Sequence, residues 1–226
     1  MIFYFFNFFI GACLASHICV IYEHFKDKSF IWGRSHCSNC GHPLNLYQQI
    51  PILSFLALRG KCFYCKNKIS FFLPCVEFLG GISLLFNNFS NLSGWINASF
   101  FFIFLLIAVF DYFEHEFPTF LLLPLFVISS SKYNLRQTAE IIYLLPITLI
   151  FILFIKQNKI GSGDLYIYLL LSLYFSPLKA NYIFLLACLL IIFKYFFYSK
   201  IISKAEVEIP FIPYVYIGSV ILQFIQ

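Results

Sequence analysis

Long apolar runs alternate with short polar segments along the whole chain. Eight of these runs are predicted to form helices, and they cover 2–22, 71–87, 95–113, 117–130, 138–155, 165–178, 181–198 and 210–225. Several approach the roughly 20 residues that an α-helix needs to span a bilayer, whereas 117–130 and 165–178 are shorter and must borrow flanking residues. The pattern predicts an all-α polytopic membrane protein with about eight transmembrane helices.

Composition excludes an ordinary soluble protein. Hydrophobic residues make up 61% of the 226 residues and charged residues 11%, against about 25% charged in a typical soluble domain. A soluble chain of this kind would expose large apolar patches and aggregate. The run 2–22 lacks a basic start and is long enough to span a membrane, so we interpret it as the first transmembrane helix and not as a signal peptide.

Basic residues indicate which side of the membrane each loop occupies. Segment 23–70 carries seven basic residues against two acidic ones, and an excess of this kind marks a cytoplasmic loop. Segments 156–164 and 199–209 then lie on the same side and carry two lysines each, while 131–137 is predicted outside despite two basic residues. The formal net charge of +5 therefore reflects membrane orientation, and we predict no nucleic-acid partner.

Four of the eight cysteines form two Cys-x2-Cys pairs inside segment 23–70: Cys37, Cys40, Cys62 and Cys65. The pairs are separated by 21 residues, near the spacing of about 15–20 residues that is typical of zinc sites of this kind. Four thiolates close a tetrahedron around a zinc ion, so the metal would fold the loop and not catalyse. The alternatives are four unrelated free thiols, or redox or disulfide use, which a reducing cytoplasmic loop disfavours.

Two of the three aspartates lie at the edges of apolar runs, Asp111 in Phe110-Asp111-Tyr112 and Asp164 in Gly161-Ser162-Gly163-Asp164. A carboxylate at a membrane boundary costs free energy unless it is compensated, which argues for a functional role. The predicted topology puts both at the cytoplasmic face, and two carboxylates that meet share one proton and activate water for peptide hydrolysis. The two glycines allow close approach of the backbone to another element or to a substrate.

Each of these acids also has a structural interpretation. Asp164 precedes an apolar run, and aspartate is a favoured cap of a helix N-terminus. Asp111 could simply begin the polar turn that continues through residues 114–116. Glu77, the other acid deep in an apolar run, must pair, become neutral or line a cavity, and nothing local selects one role.

Taken together, these motifs resemble those of the prepilin leader peptidases, membrane aspartyl proteases that process type IV pilins and pseudopilins. The resemblance covers nearly the whole chain and rests on these positions: Gly11 and Ser16; Arg34-Ser35-x-Cys37-x2-Cys40; Ile50-Pro51-Ile52-Leu53-Ser54-Phe55; Arg59-Gly60-Lys61-Cys62-x2-Cys65; Ile69-Ser70; Glu77; Asp111 with Pro118; Gly161-x-Gly163-Asp164; and Ile209-Pro210-Phe211-x-Pro213 with Gly218. Two positions depart from the family pattern, since Ser38 stands where proline is frequent and Tyr166 where lysine is common.

The resemblance implies that Asp111 and Asp164 are the catalytic pair, with Gly161 and Gly163 as a supporting backbone motif and Glu77 in a supporting or ligand-binding role. It implies that a short basic leader is cleaved from prepilin or pseudopilin precursors at the cytoplasmic face of the bacterial cytoplasmic membrane. It also implies N-methylation of the new N-terminus with S-adenosylmethionine, because the cysteine loop usually accompanies that second activity. No motif in the sequence identifies the residues that would bind S-adenosylmethionine.

We therefore predict three regions in a chain that is embedded in the lipid bilayer: a first transmembrane helix (1–22), a cytoplasmic zinc-binding loop associated with methyl transfer (23–70) and a transmembrane aspartyl peptidase domain (71–226). The competing hypothesis is a transporter, or a scaffold that carries a zinc ribbon and has no protease activity, because boundary acids also mark ion pathways. A transporter more often shows repeated halves, and no internal repeat stands out in the sequence.

Overall fold

The computed structural model describes residues 2–27, 35–133, 135–157, 159–198 and 209–225, without the side chains of 26, 27, 135–138 and 198. Arg34 of the motif series and nearly all of segment 199–209 lie outside the described residues. Nine α-helices occur within these ranges: α1 (Ile2–Asp27), α2 (Leu53–Ala57), α3 (Phe72–Ser83), α4 (Leu92–Glu114), α5 (Leu122–Lys132), α6 (Leu144–Lys156), α7 (Ser162–Phe175), α8 (Pro177–Tyr198) and α9 (Ile212–Ile225). Short 3-10 turns at Leu46–Gln48, Thr119–Leu121 and Leu135–Tyr143 complete the regular structure.

Eight apolar helical segments of the described chain correspond to the eight predicted runs. Four are long and apolar enough to cross a membrane, namely Ile2–Phe25, Leu92–Glu114, Ala139–Lys156 and Pro177–Phe197. Four more are apolar but shorter, namely Phe72–Ser83, Thr119–Lys132, Ser162–Phe175 and Ile212–Ile225. The described ranges contain no strand, and their only bridges are the isolated pairs His36 with Pro43 and Lys61 with Lys68. The predicted all-α membrane fold is confirmed.

The chain forms two compact units, Met1–Leu106 and Ile107–Gln226. The first contains α1 to α3 and most of α4, and the second contains the end of α4 and α5 to α9. The division into 1–22, 23–70 and 71–226 is a division by function, and it stays a prediction.

In the first unit, α1 and α3 pack closely through small residues. A methyl group added at Gly11 would overlap the carbonyl oxygen of Gly80, and one added at Gly80 would overlap the Cβ of Ala15. At the far end of α3, the Asn7 amide donates to the backbone carbonyls of Leu85 and Asn87, at 3.2 Å and 2.6 Å. Small residues let helix backbones approach within a membrane, where no hydrophobic force drives the helices together.

In the second unit, an aromatic cluster holds α6, α7, α8 and the start of α9 together. The ring of Phe184 lies 5.1 Å from Tyr168, 5.7 Å from Phe151 and 5.5 Å from Phe211, measured between centroids. The Tyr168 hydroxyl donates to Asn181 at 2.6 Å, which satisfies its polar end. Because Phe211 directly precedes α9, this cluster fixes the place where that helix begins.

Candidate active site and metal centre

Asp111 is buried in the last turn of α4, with 7% of its surface exposed. Its Oδ2 accepts a hydrogen bond of 2.9 Å from the backbone N–H of Ile212, the first residue of α9. The backbone of Phe211 hydrogen-bonds to the same carboxylate. The carboxylate therefore lies against the N-terminus of a helix that is distant in sequence.

The N-terminus of α9 compensates an unfavourable interaction between Asp111 and the end of its own helix. A carboxylate near a helix C-terminus faces the negative end of the helix dipole, which disfavours it. The N-terminus of α9 supplies free N–H groups and the positive end of a second dipole, and both favour an anion. The alternative in which Asp111 begins a solvated turn is wrong, because the helix continues to Glu114 and the side chain is enclosed.

Asp164 lies in the first turn of α7 and is half-buried. The N-cap position of α7 belongs to Gly161, so Asp164 is already inside the helix, and the alternative in which it caps the helix is wrong. Asp111 is near enough to interact electrostatically with Asp164. The structure thus brings together the two aspartates that are 53 positions apart in sequence. The described residues donate hydrogen bonds to Asp111 but none to Asp164.

The two glycines before Asp164 differ in their surroundings. A Cβ at Gly163 would stand 2.8 Å from Cε1 of Phe117, a contact too short for real side chains. A Cβ at Gly161 would meet only the backbone nitrogen of Gly163, at 4.0 Å. Gly163 therefore lets the first turn of α7 lie against the Phe117 ring, whereas Gly161 has no close neighbour. Sequence reasoning did not identify Phe117, because a lone phenylalanine among 32 carries no local signal.

We expect Gly163→Ala to lower the melting temperature of the protein in detergent, because the added methyl must displace the Phe117 ring at roughly 1–3 kcal/mol. In a Phe117→Ala background the sign should reverse, since alanine favours a helix over glycine by about 1 kcal/mol. Thermal unfolding of the four proteins measures both effects. Gly161→Ala is the matched control, and its effect should be the same in both backgrounds. A Gly163→Ala effect that does not depend on residue 117 would contradict the packing argument.

The four loop cysteines form one cluster, and two turns of the same design present them. Cys37 N–H donates to the His42 carbonyl at 2.9 Å, and Cys62 N–H donates to the Asn67 carbonyl at 2.8 Å. After each Cys-x2-Cys pair the backbone enters the left-handed region, at Gly41 (φ +67°) and at Lys66 (φ +58°). Both Cys-x2-Cys pairs therefore lie in tight turns, although Lys66 adopts the left-handed conformation without the freedom of glycine.

The sulfur positions fit a tetrahedral metal site. All four Sγ atoms lie within 4.8 Å of one another, and those of Cys37 and Cys65 are 3.9 Å apart. Four sulfurs at about 2.3 Å from a central ion would be separated by about 3.8 Å. All four cysteines are free thiols and not disulfides. The cluster can therefore hold a metal ion.

Hydrogen bonds favour the thiolate form of two of the four cysteines. The backbone N–H of Asn67 and the side chain of Asn39 lower the pKa of the Cys65 thiol to about 6. The backbone N–H groups of Cys40 and Asn39 lower the pKa of the Cys37 thiol. Both effects favour the thiolate, which is the form that binds metals. At Cys40 the His42 N–H also acts to lower the pKa, but desolvation and the neighbouring thiols raise it to about 11. The charge of the Cys37 thiolate is one cause of this raised pKa, and a cation among the four sulfurs would offset the repulsion between the thiolates.

Glu77 is buried in α3, with 4% of its surface exposed, and it bonds to other parts of the first unit. Its Oε2 accepts the N–H of Ile52 at 2.7 Å, and its carboxylate also hydrogen-bonds to the Ser16 side chain on α1. Ile52 has φ 60° and ψ −50°, and the next N–H, that of Leu53, donates back to Pro51. This is a strained γ-turn. The contacts anchor the cysteine loop to α3, and a ligand-binding role for Glu77 stays a prediction.

Comparison with known proteins supplies independent information. Residues 9–90 match a family model described as "Bacterial Peptidase A24 N-terminal domain". The chain is 27% identical over 207 residues to the "Prepilin leader peptidase/N-methyltransferase" of Vibrio cholerae serotype O1, which covers 85% of this chain and 81% of the relative. A protein of the same name from Myxococcus xanthus is 42% identical over 91 residues, covering 40% of this chain and 27% of the relative. One from Neisseria gonorrhoeae is 44% identical over 61 residues, covering 27% and 21%. No solved structure matches the chain.

Proposed function

The chain is a relative of the prepilin leader peptidases, and from that premise we propose that it is a membrane aspartyl endopeptidase with Asp111 and Asp164 as its catalytic pair. The family predicted from the motif series is confirmed by the matches along the chain. The proposed reaction is removal of a short basic leader, ending in glycine, from type IV prepilin or pseudopilin precursors.

One observation carries this proposal: the carboxylates of Asp111 and Asp164, which belong to separate helices of the second unit, are near enough to interact electrostatically. Asp111 accepts the N–H of Ile212 at the start of α9, and Asp164 lies in the first turn of α7. Two neighbouring carboxylates repel when both are ionised, so ionisation of one favours the protonated form of the other. Such a pair supplies a base and an acid at the same site.

The hydrogen bonds to Asp111 indicate which aspartate acts as the base and which as the acid. Because N–H donors already face the Asp111 carboxylate, we assign the ionised form to Asp111 and the shared proton to Asp164. Asp111 then takes a proton from water, whose oxygen attacks the carbonyl carbon of the scissile peptide. Asp164 hydrogen-bonds the carbonyl oxygen as negative charge develops there. The C–N bond breaks when the leaving amine takes the proton held by Asp111, which regenerates the pair.

The leader's positive charge gives a reason for the acids beside the site. Glu114 and Glu116 are both exposed, at and just beyond the end of α4. Negative charge beside the site raises the association rate of a basic leader, and salt screens this attraction. Lys156 at the end of α6 and Lys159 before α7 agree with a cytoplasmic position for this end of the second unit.

We assign the cysteine cluster to a structural zinc ion held by Cys37, Cys40, Cys62 and Cys65. A site with four thiolates has no open position for a substrate, so the ion would stabilise the loop. The names of the relatives include N-methyltransferase, and we extend this second activity, with S-adenosylmethionine as methyl donor, to the present chain.

Mass spectrometry of a co-expressed prepilin reads both activities together. We expect a substrate N-terminus that begins after the leader's last glycine and carries one methyl group. A prepilin whose terminal leader glycine is replaced by a bulky residue is the control, and it should remain uncut. An intact leader on the unmodified substrate would contradict the peptidase proposal and favour a transporter or scaffold. A cut but unmethylated substrate would remove only the methyl transfer.

A further inference from the structure

Several large apolar side chains of the cysteine loop are exposed. Leu46, Leu53 and Leu56 have 86%, 57% and 64% of their surfaces exposed, and Phe71, directly after the loop, has 71% exposed. The three leucines belong to a segment that lies between two membrane-spanning runs and otherwise carries polar turns and the metal cluster. Exposed apolar side chains that lie close together mark an interaction surface. The neighbouring contacts indicate what covers it.

The first contact concerns the start of α2, the short helix at Leu53–Ala57. Its N-cap residue, Ile52, donates its N–H to Glu77 at 2.7 Å. Glu77 lies five residues beyond Phe72, the first residue of α3, which corresponds to about 7–8 Å along the helix axis. The start of α2 is therefore tied, through the Glu77 side chain, to the second turn of the apolar helix α3.

A second contact fixes which face of α2 points outward. The ring of Phe55 lies 6.0 Å from the ring of Phe71, which directly precedes α3. On another side, a Cβ added at Gly60 would stand 3.0 Å from the Phe55 ring. Phe55 thus packs against Phe71 and Gly60, whereas Leu53 and Leu56, three positions apart on one helix face, remain exposed.

The charge of the loop agrees with a lipid surface. Residues 35–70 contain four basic side chains and no aspartate or glutamate: Arg59, Lys61, Lys66 and Lys68. All four are exposed, and Arg59 and Lys61 follow α2 within four residues. Basic residues beside an anionic membrane surface strengthen the attachment of a segment to that surface.

We propose that α2 lies in the interfacial layer of the membrane, in the leaflet from which α3 begins. Leu53 and Leu56 enter the boundary between headgroups and acyl chains, and Arg59 and Lys61 contact anionic phospholipid headgroups. Interfacial helices bury their apolar face about 5–10 Å into the boundary between headgroups and acyl chains, and the contact between Ile52 and Glu77 holds α2 beside an apolar helix. The loop is thereby a membrane-bound platform, and this inference does not depend on the peptidase proposal.

Fluorescence quenching by brominated lipid tests this placement in the full chain. Leu56→Trp is introduced into a Trp32→Phe/Trp95→Phe background and reconstituted in vesicles of phosphatidylethanolamine and phosphatidylglycerol. Phospholipids brominated on the acyl chains should remove roughly half of its emission, because the indole would lie at the acyl boundary. Tyr64→Trp, in the second cysteine turn, is the matched control, and its emission should be quenched far less.

Two results would overturn the proposal. One is equal quenching of the Leu56→Trp and Tyr64→Trp emission, or no quenching of either. The other is an unquenched Leu56→Trp signal that shifts to shorter wavelength only when a prepilin is added, which would assign the surface to the substrate's apolar helix. Leu53→Trp repeats the test on the same face, and a melting temperature equal to that of the background protein shows that each variant is folded.

Discussion

Asp111→Asn and Asp164→Asn are each expected to slow prepilin cleavage by roughly 10²–10⁴-fold, the contribution of one positioned acid or base. Asparagine keeps the size of the side chain and, at residue 111, an oxygen that still accepts the Ile212 N–H. It can neither take a proton from water nor share one with the second carboxylate. The rate is measured as the mobility shift of prepilin on a gel, with purified protein in detergent.

The control for this experiment is Glu116→Gln, which changes an exposed acid five positions beyond Asp111 without touching the pair. It should retain cleavage, apart from a modest loss at low salt through weaker attraction of the leader. All variants should be obtained from membranes in similar amounts and melt at similar temperatures. Cleavage by either aspartate variant at the parent rate would exclude that residue from catalysis.

Loss of the metal is expected to unfold the cysteine loop. Cys62→Ser removes the buried member of the cluster, and a structural zinc ion contributes about 10–16 kcal/mol to the folding of small zinc domains. We expect the bound metal to disappear and trypsin to cut faster after Arg59, Lys61, Lys66 and Lys68. Atomic absorption measures the metal, and peptide mapping measures the cleavage sites. Chelation of the parent protein should reproduce the same peptides.

Cys188→Ser provides the comparison, because Cys188 is an exposed thiol on α8 and does not belong to the cluster. It should leave both the metal content and the trypsin pattern unchanged. If Cys62→Ser left the trypsin pattern unchanged as well, the ion would not be the element that folds the loop.

The apolar pattern predicted the helices well, because every segment that spans the bilayer must be a helix with mainly apolar side chains. Only the ends differ: α7 begins at Ser162 although the predicted run begins at 165, and α8 begins at Pro177 although its run begins at 181. The first turn of α7 contains Ser162, Gly163 and Asp164, and that of α8 contains Pro177 and Lys179. A hydropathy pattern omits such residues, whereas the backbone accepts them and proline is well suited to the first position.

The site was predictable in its chemistry but not in its contacts. Boundary position alone selected Asp111 and Asp164, because few acids are tolerated there. The partner of Asp111 is a backbone N–H 101 residues away, and any residue type could supply it. The contact between Glu77 and Ile52 has the same character, since it depends on a strained turn that no local propensity favours. Such contacts arise from tertiary packing, and the local patterns of a single sequence do not predict them.

The most direct test of the central claim is the cleavage rate of the Asp111→Asn/Asp164→Asn double variant beside the two single variants. Residues that act as one unit are strongly non-additive in their kinetic effects. If both carboxylates act on one water, the double variant should be hardly slower than the slower single variant. Losses that multiply would show that the two aspartates work independently, and the shared site would be contradicted.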